Sequence, residues 1–569
     1  MARQGRWRDR PLGALTTAFL ARFFENEITA GTNDMRNSFF WLIAFLAVPG
    51  LLAPFSMMFS WSGILIVSGP DGLREAARAD KVLYLGFAMS ATGLVAAIVW
   101  NALLVDRRDA LVLGVLPATG SRIVGAKLLA LGAYIAIIAA GMHTLASLSF
   151  GFALADGSAT AFMLRNVTAH FVASCLASAF VVTAVTAVQG LALAALGPRP
   201  FRRVSPVLQL ALVAAGVGGL LLLPTISLSI NDTLAGLGRR SAPWVLYTPP
   251  AWFLGLYEVI LGTDDETLWR LTWTAVTALG VATGATVASF PAAYRRIMVA
   301  AVEQPDGGHR GSLTRRWARL LTATLSRHPT GQAALSFLLA TIGRSERHRF
   351  AVATALGLAA ALALPGGLNA SRALQGGVES GPHWTVLGLP LGSMAVLMVG
   401  LRVAIALPAD LRPTWLVHAI EPAARPVHIA LRRLLTVVGL LPVLVQAVVV
   451  GALWGWPLAV THALLAAVMT GVLADALLFG AGSMPCTTPW RPERANLRAL
   501  WFPYLLVFLA ITRGLPALAL ALTPRPGALL AVLGATALIW TMLRRRAVPQ
   551  DAAAPFEDGI PSLQVLNLD

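Results

Sequence analysis

The chain is a succession of apolar runs separated by short arginine-bearing segments. Each run is about as long as the roughly 20 residues that a helix needs to cross a hydrocarbon layer. Inside such a layer backbone N–H and C=O groups have no water to bond to, so these runs must be helices whose hydrogen bonds close within the segment. On that rule twelve spans are predicted, at 38–61, 82–104, 128–150, 167–196, 207–230, 268–291, 349–366, 385–407, 434–453, 457–479, 499–521 and 526–543. The run at 349–366 is short, and the one at 167–196 is long enough to tilt or to extend past the interface. With 57% hydrophobic and 12% charged residues the chain lies outside the range of a soluble domain. The predicted class is an all-α integral membrane protein.

The net charge of +17 raises the question of nucleic acid, but the arginines sit between the apolar runs and at the chain ends, which is where membrane orientation puts them. Arginine is dense at the start (Arg3, Arg6, Arg8, Arg10), at 197–206, 292–348, 408–433 and 480–498, and in the tail (Arg544, Arg545, Arg546). The alternate loops are balanced, as in Asp71, Arg74, Glu75, Arg78 and Asp80, or in 264–266 beside Arg239 and Arg240. Both termini are therefore expected on the cytoplasmic side, and no nucleic-acid partner is expected. A polar, Arg-bearing stretch precedes the first run, so no cleavable leader is predicted. Cys175 lies in an apolar run and Cys486 in a basic loop, which gives neither a disulfide framework nor a CxxC metal pattern.

An internal repeat organises the spans. Laying Pro117 on Pro422 places Lys127 on Arg432 and Arg107 on Arg412, with an apolar helix resuming after each loop. "LTTAFLARFF" precedes span one and "ALSFLLATIG" precedes span seven, each reading as an amphipathic helix along the interface. The predicted organisation is a first six-span half at 1–291, a basic cytoplasmic linker at 292–330, a second half at 331–546 and a disordered Pro- and Ala-rich tail at 547–569. Duplication of this kind is common in transporters, where the path lies between the halves.

The loop at 105–127, "VDRRDALVLGVLPATGSRIVGAK", is helical in pattern on both sides of "LPATGS" and offers Leu111, Val112, Val115 and Leu116 for packing. Residue pattern alone leaves two readings, a docking knob for a soluble partner and a connector whose charges hold helix ends at the interface.

The acidic and basic residues after helix two, then "VLGVLP", a polar turn and "IVGAKLLAL", resemble the first cytoplasmic loop of export-type ATP-binding-cassette transporter permeases. The helix before span one and "TPPAWFLGLYEVILG" before span six are similar to that family as well, in which a re-entrant helical hairpin often precedes the last span of a half. The second loop departs from the pattern, carrying Glu421-Pro422 and Leu431-Arg432 where the first has Leu-Pro and Ala-Lys. The resemblance implies a membrane subunit of the bacterial cytoplasmic (inner) membrane. It would be driven by a separate ATPase, in two copies, that binds the ATP and docks on the loops at 105–127 and 408–433. Asp106, Asp109, Pro117, Arg122 and Lys127, with Arg412, Pro422 and Arg432, are the coupling candidates it implies. The acids would meet arginines of the ATPase, and the bases its carboxylates or anionic lipid. Lys127 can alternatively snorkel to the interface. The chain itself has no GxxxxGK[ST] loop, so no cofactor and no catalysis are expected in it.

His143, Gln189, Gln446, His462, Asp475 and Arg513 fall in or near apolar runs, where a polar group is costly and marks either a pathway or an interhelical bond. Neither His143 nor His462 has a second ligand at i+3 or i+4, so no metal site is expected. An ion-driven carrier of the major-facilitator kind shares the twelve-span layout, although "DRRD" lacks that family's surrounding glycines. A membrane-embedded transferase would need paired acids in an external loop, and Asp71, Glu75, Asp80 and 264–266 show no HxxE or DxD pattern. The many small residues permit close helix packing but do not choose among lipid, peptide, antibiotic and polysaccharide cargo.

Overall fold

The computed structural model describes residues 11–24, 35–104, 119–154, 160–236, 241–303, 312–374, 381–382, 384–409, 423–479, 484–487 and 506–547. Helices account for nearly all of them, and no strand occurs among the described residues. The chain packs as two compact units, Met1–Gly307 and Gly308–Asp569, so the division falls inside the basic segment 292–330. In the first unit α1 is Pro11–Phe24, α2 Met35–Ile98, α3 Gly120–Ala153, α4 Thr160–Leu196, α5 Pro198–Leu234, α6 Pro249–Leu261 and α7 Glu266–Glu303. In the second, α8 is Ser312–Leu325, α9 Pro329–Arg344, α10 Glu346–Leu374, α11 Trp384–Ala406, α12 Ala424–Trp454 and α13 Trp456–Leu477. The second unit ends with α14, Leu506–Leu522, and α15, Pro526–Ala547.

Among the described residues eight helices are long and apolar enough to cross a membrane. They coincide with expected spans two to six and eight to ten. Three shorter apolar helices, Ala351–Ala363, Leu506–Leu522 and Pro526–Met542, fall on the seventh, eleventh and twelfth. The first expected span lies in the opening part of α2, which is interrupted at Gly69 (φ 68°, ψ −172°). That left-handed φ is open to glycine without a Cβ clash, and the following proline suits a first helical position because it has no N–H to leave unbonded. Beyond the break α2 is helical through Arg74, Arg78 and Lys81, residues that hydropathy reads as an external loop. The difference has an electrostatic cause, since Lys81 and Arg78 are drawn onto a carboxylate of α6 and no longer need water.

Within the first unit α3 packs on α2 and α4, α5 runs along α2, and α7 runs along α4. The α6–α7 hairpin is close. A Cβ on Gly255 would stand 2.7 Å from the Leu268 carbonyl oxygen, and Gly262 (φ 87°) closes α6 with its N–H on the Glu258 and Val259 carbonyls. Asp265 Oδ1 then accepts from the Leu268 N–H at 3.0 Å, satisfying one of the donors that a helix start leaves open. A stripe of Ala169, Ala173 and Ala177 on α4, all fully buried, lets Val82 and Leu85 of α2 and Phe253 and Leu254 of α6 join one core. Apolar burial gains little against lipid, so close approach of small residues and interhelical hydrogen bonds carry the assembly.

In the second unit α10 lies along α11, α12 packs on α11 and α13, α14 packs on α11 and α13, and α15 packs on α13. Glycines again mark the closest crossings, with Gly400 against Ala355, Gly439 against Met398 and Thr470, and Gly471 against Trp540. At Gly388 on α11 a Cβ would lie 2.0 Å from backbone, the Thr512 carbonyl oxygen. Thr512 belongs to a π-helical turn, Ala510–Gly514, within α14, and such a turn displaces carbonyls from the regular ladder. Gly388→Val should therefore separate α11 from α14 and lower stability by about 3 kcal/mol. Thermal unfolding in detergent reads this, with Gly284→Ala, whose Cβ meets nothing within 4 Å, expected to unfold like the unaltered chain.

Candidate functional site

The loop candidates meet different fates. Asp106, Asp109, Pro117, Arg412 and Pro422 lie outside the described residues. Arg122 is exposed on the first turn of α3, its N–H bonded to the Thr119 carbonyl. Lys127, one turn further along, is fully buried, with its ammonium 4.7 Å from the Phe19 ring centre and 4.8 Å from that of Phe23. Both rings belong to α1, and Phe23 also stacks on Tyr134 of α3 at 4.7 Å. The charge of Lys127 thus sits among aromatic faces, a geometry strengthened by exclusion of water, and it fastens the amphipathic helix to α3 just after the loop. The snorkelling alternative does not describe a side chain with no exposed surface.

Arg432, the residue aligned with Lys127, is held by another chemistry. Its Nε donates to Asp475 Oδ1 of α13 at 2.5 Å, while Trp540 Nε1 of α15 donates to Asp475 Oδ2 at 2.6 Å. The guanidinium lies over the Trp540 ring at 5.2 Å. One carboxylate therefore ties together α12, α13 and α15. Helix α9 of this unit packs on α12 at Gly331, where a Cβ would meet the Pro426 carbonyl oxygen at 3.0 Å. Arg433 adds a bond from Nη1 to the Leu325 carbonyl of α8 at 3.1 Å.

The intramembrane polar candidates are mostly interhelical fasteners. His143 of α3 is hydrogen-bonded through Nδ1 to Tyr84 OH of α2 and through Nε2 to Ser178 Oγ of α4, both at 2.8 Å. Gln189 Nε2 donates to the Trp100 carbonyl at 3.3 Å, and Gln446 Nε2 donates to the Val386 and Leu387 carbonyls at 2.9 and 2.6 Å. His462 Nε2 meets the Leu387 carbonyl oxygen at 3.2 Å, which requires that nitrogen to carry the proton. Arg513 is exposed, its guanidinium stacked on Trp384 at 3.7 Å. Of the six, Gln446 and His462 converge on one acceptor, the Leu387 carbonyl oxygen, and no group of three His, Cys, Asp or Glu side chains fit to hold a metal occurs among the described residues.

Hydropathy hides a charged cluster in the first unit. Lys81 Nζ donates to Glu258 Oε1 at 2.6 Å with both side chains 2% exposed, and Arg78 Nε stands 3.5 Å from Glu258 Oε2. Thr263 Oγ1 donates to the same oxygen at 3.3 Å, and the ammonium lies 4.5 Å from the Tyr257 ring centre. His170 of α4 is 1% exposed, packed on Phe150 at 4.3 Å, Tyr84 at 4.5 Å and Tyr257 at 5.6 Å, with neither ring nitrogen hydrogen-bonded. The i, i+4, i+7 spacing of Arg74, Arg78 and Lys81 is the sequence signal that a helix face, and not a loop, carries these charges.

Near the end of α11 the segment 484–487 makes a short backbone exchange, with the Cys486 N–H on the Ile405 carbonyl and the Ala409 N–H on the Cys486 carbonyl. Burial pushes the Cys486 thiol up to about 11. No known protein family, characterised protein or solved structure matches this chain.

Two outcomes follow from this geometry. Asp475→Ala leaves the Arg432 guanidinium and the Trp540 N–H without their acceptor and should cost about 3 kcal/mol, with the double variant Arg432→Met, Asp475→Leu recovering much of it in a thermal-unfolding cycle. The Cys486 thiol, protonated below its raised pKa and covered, should react with maleimide at pH 8 only as fast as the protein unfolds.

Proposed function

We propose that the chain is the membrane-spanning subunit of an ATP-driven exporter, with twelve spans in two six-span halves and a motor supplied by separate ATPase subunits. The observation that carries this reading is the attachment of an interfacial helix to the helix that leaves each loop. In the first unit α1 is fastened to α3 through Lys127, Phe19 and Phe23, and in the second α9 abuts α12 around Gly331. A force applied at either loop would reach the span behind it and the interfacial helix beside it as one body.

The helix pairings support the duplication. In each unit the second expected span packs on the third and fifth, and the fourth packs on the third and sixth. The resemblance of "VLGVLP" and "IVGAK" to exporter permeases supplies the role, and the absence of a phosphate loop from the sequence is why the ATPase belongs to a partner. On this reading the loops and both termini face the cytoplasm of a bacterial cell, ATP is held by the partner, and the cargo leaves the cytoplasmic side.

The test is ATP hydrolysis by protein purified from its native membrane in mild detergent. An ATPase should co-purify with the unaltered chain and be lost from the variant Asp106→Ala, Asp109→Ala, Pro117→Ala, with thermal stability unchanged. No ATPase in either preparation, under conditions that preserve a control complex, would overturn the reading in favour of an ion-driven carrier.

A further inference from the structure

Helix α8, Ser312–Leu325, is built unlike the spans of its unit. At about 3.6 residues per turn, Leu313, Trp317, Leu320 and Leu321 fall in one arc and Arg315, Arg316 and Arg319 in a second, so apolar and basic residues divide the cylinder between them. The protein covers only the edge of the apolar arc. Leu325 is buried with Leu335 and Leu338 of α9 and Leu431 of α12, and Thr322 beside it is 4% exposed, whereas Leu320 and Leu321 are 52% and 45% exposed.

The two leucines are held in that position. Gln332 Nε2 donates to the Ser326 carbonyl at 2.9 Å and Ser326 Oγ to that of His328 at 3.1 Å, which pins the turn from α8 into α9 and opposes any roll of the apolar arc inward. Arg327, in the same turn, is exposed, and so is Arg344 at the other end of α9. Depth is set by α12. Its first turns carry Arg425, His428, Arg432 and Arg433 and then give way to the apolar run 434–453. Arg433, the last of these, donates from Nη1 to the Leu325 carbonyl at 3.1 Å, so the end of α8 lies level with the point at which α12 becomes apolar. A boundary between water and hydrocarbon at that level offers acyl chains to Leu320 and Leu321 and phosphate oxygens to the arginines.

We propose that α8 binds the anionic phospholipid surface of the leaflet in which α12 begins, with Leu320 and Leu321 against the acyl chains and the basic arc, together with Arg327, among the phosphates. An acidic soluble protein would answer the arginines alone, whereas exposed leucines level with the start of an apolar run call for acyl chains as well. The binding face goes beyond the exporter reading and stands if no ATPase is found.

The full chain carrying Cys175→Ala, with buried Cys486 retained, is labelled with a nitrobenzoxadiazole maleimide at Leu321→Cys or, across the helix, at Ala323→Cys. Both positions are exposed, so each labelled variant should unfold thermally like the unaltered chain. The protein is placed in nanodiscs of phosphatidylcholine with or without phosphatidylglycerol, where doxyl-labelled phosphatidylcholine quenches the fluorophore from the bilayer and iodide quenches it from water. With phosphatidylglycerol present, doxyl lipid should quench the label at Leu321→Cys at least threefold more strongly than the label at Ala323→Cys. Adding Arg315→Gln, Arg316→Gln and Arg327→Gln should lower the Leu321→Cys signal to its level in phosphatidylcholine alone. Equal doxyl quenching at the two positions, no dependence on phosphatidylglycerol, or a dependence that the three Gln substitutions leave intact would overturn the proposal. So would a label at Leu321→Cys that is shielded from iodide yet untouched by doxyl lipid, since protein would then be the cover. The presence or absence of an ATPase in the same preparation bears on none of these readings.

Discussion

A backbone carbonyl released from its helix has no water to turn to in hydrocarbon, and this chain answers that constraint with long side chains borrowed from neighbouring helices. Pro390 cannot donate to the carbonyl four residues earlier, that of Val386, and Gln446 on α12 supplies the missing donor. Where α2 ends at Ile98 and restarts as the short turn Trp100–Leu103, Gln209 bonds the Ala97 carbonyl and Gln189 the Trp100 carbonyl. Arginines do the same at helix ends, as Arg165 does on Ile260, Arg402 on Leu477 and Arg296 on Ala195. At these places the break in the helix and the polar residue of the core are one design, since a partner is aimed at the carbonyl that the break releases.

The same logic separates what could be read in the sequence from what could not. Apolar run length located the long helices because length against bilayer thickness is a constraint on a single segment. The charged turn of α2 escaped that reading, because whether Lys81 lies in water or in a core depends on Glu258, which stands 177 residues away. Lys127 and Arg432 were picked out by their aligned positions, yet no pattern in one sequence says that the first would be surrounded by rings of α1 and the second by a carboxylate of α13. Single polar residues in apolar runs were recognisable as exceptional, but the partners of Gln189, Gln446 and His462 are backbone carbonyls, which leave no mark in a sequence.

The two units hold a cation at aligned positions by different physics, and the contrast bears on how each can respond. Aromatic faces around Lys127 form a soft, broad well that tolerates sliding of α1 over α3. The Arg432–Asp475 bond is short and directional, and Trp540 fixes the second carboxylate oxygen, so α12, α13 and α15 are joined at a point. Two units with one compliant and one stiff attachment would not yield equally to the same load.

Each unit also contains a pair of long helices joined by a lone glycine in the left-handed region, Gly197 (φ 79°) between α4 and α5 and Gly455 (φ 93°) between α12 and α13. One residue supplies two rotatable bonds and almost no slack, and at Gly455 the room is reduced further by the Trp456 ring packed on Gly451. Such a pair behaves as a folded rod. Tilting one arm drags the other, and the bend offers no run of loop residues for a protease to cut.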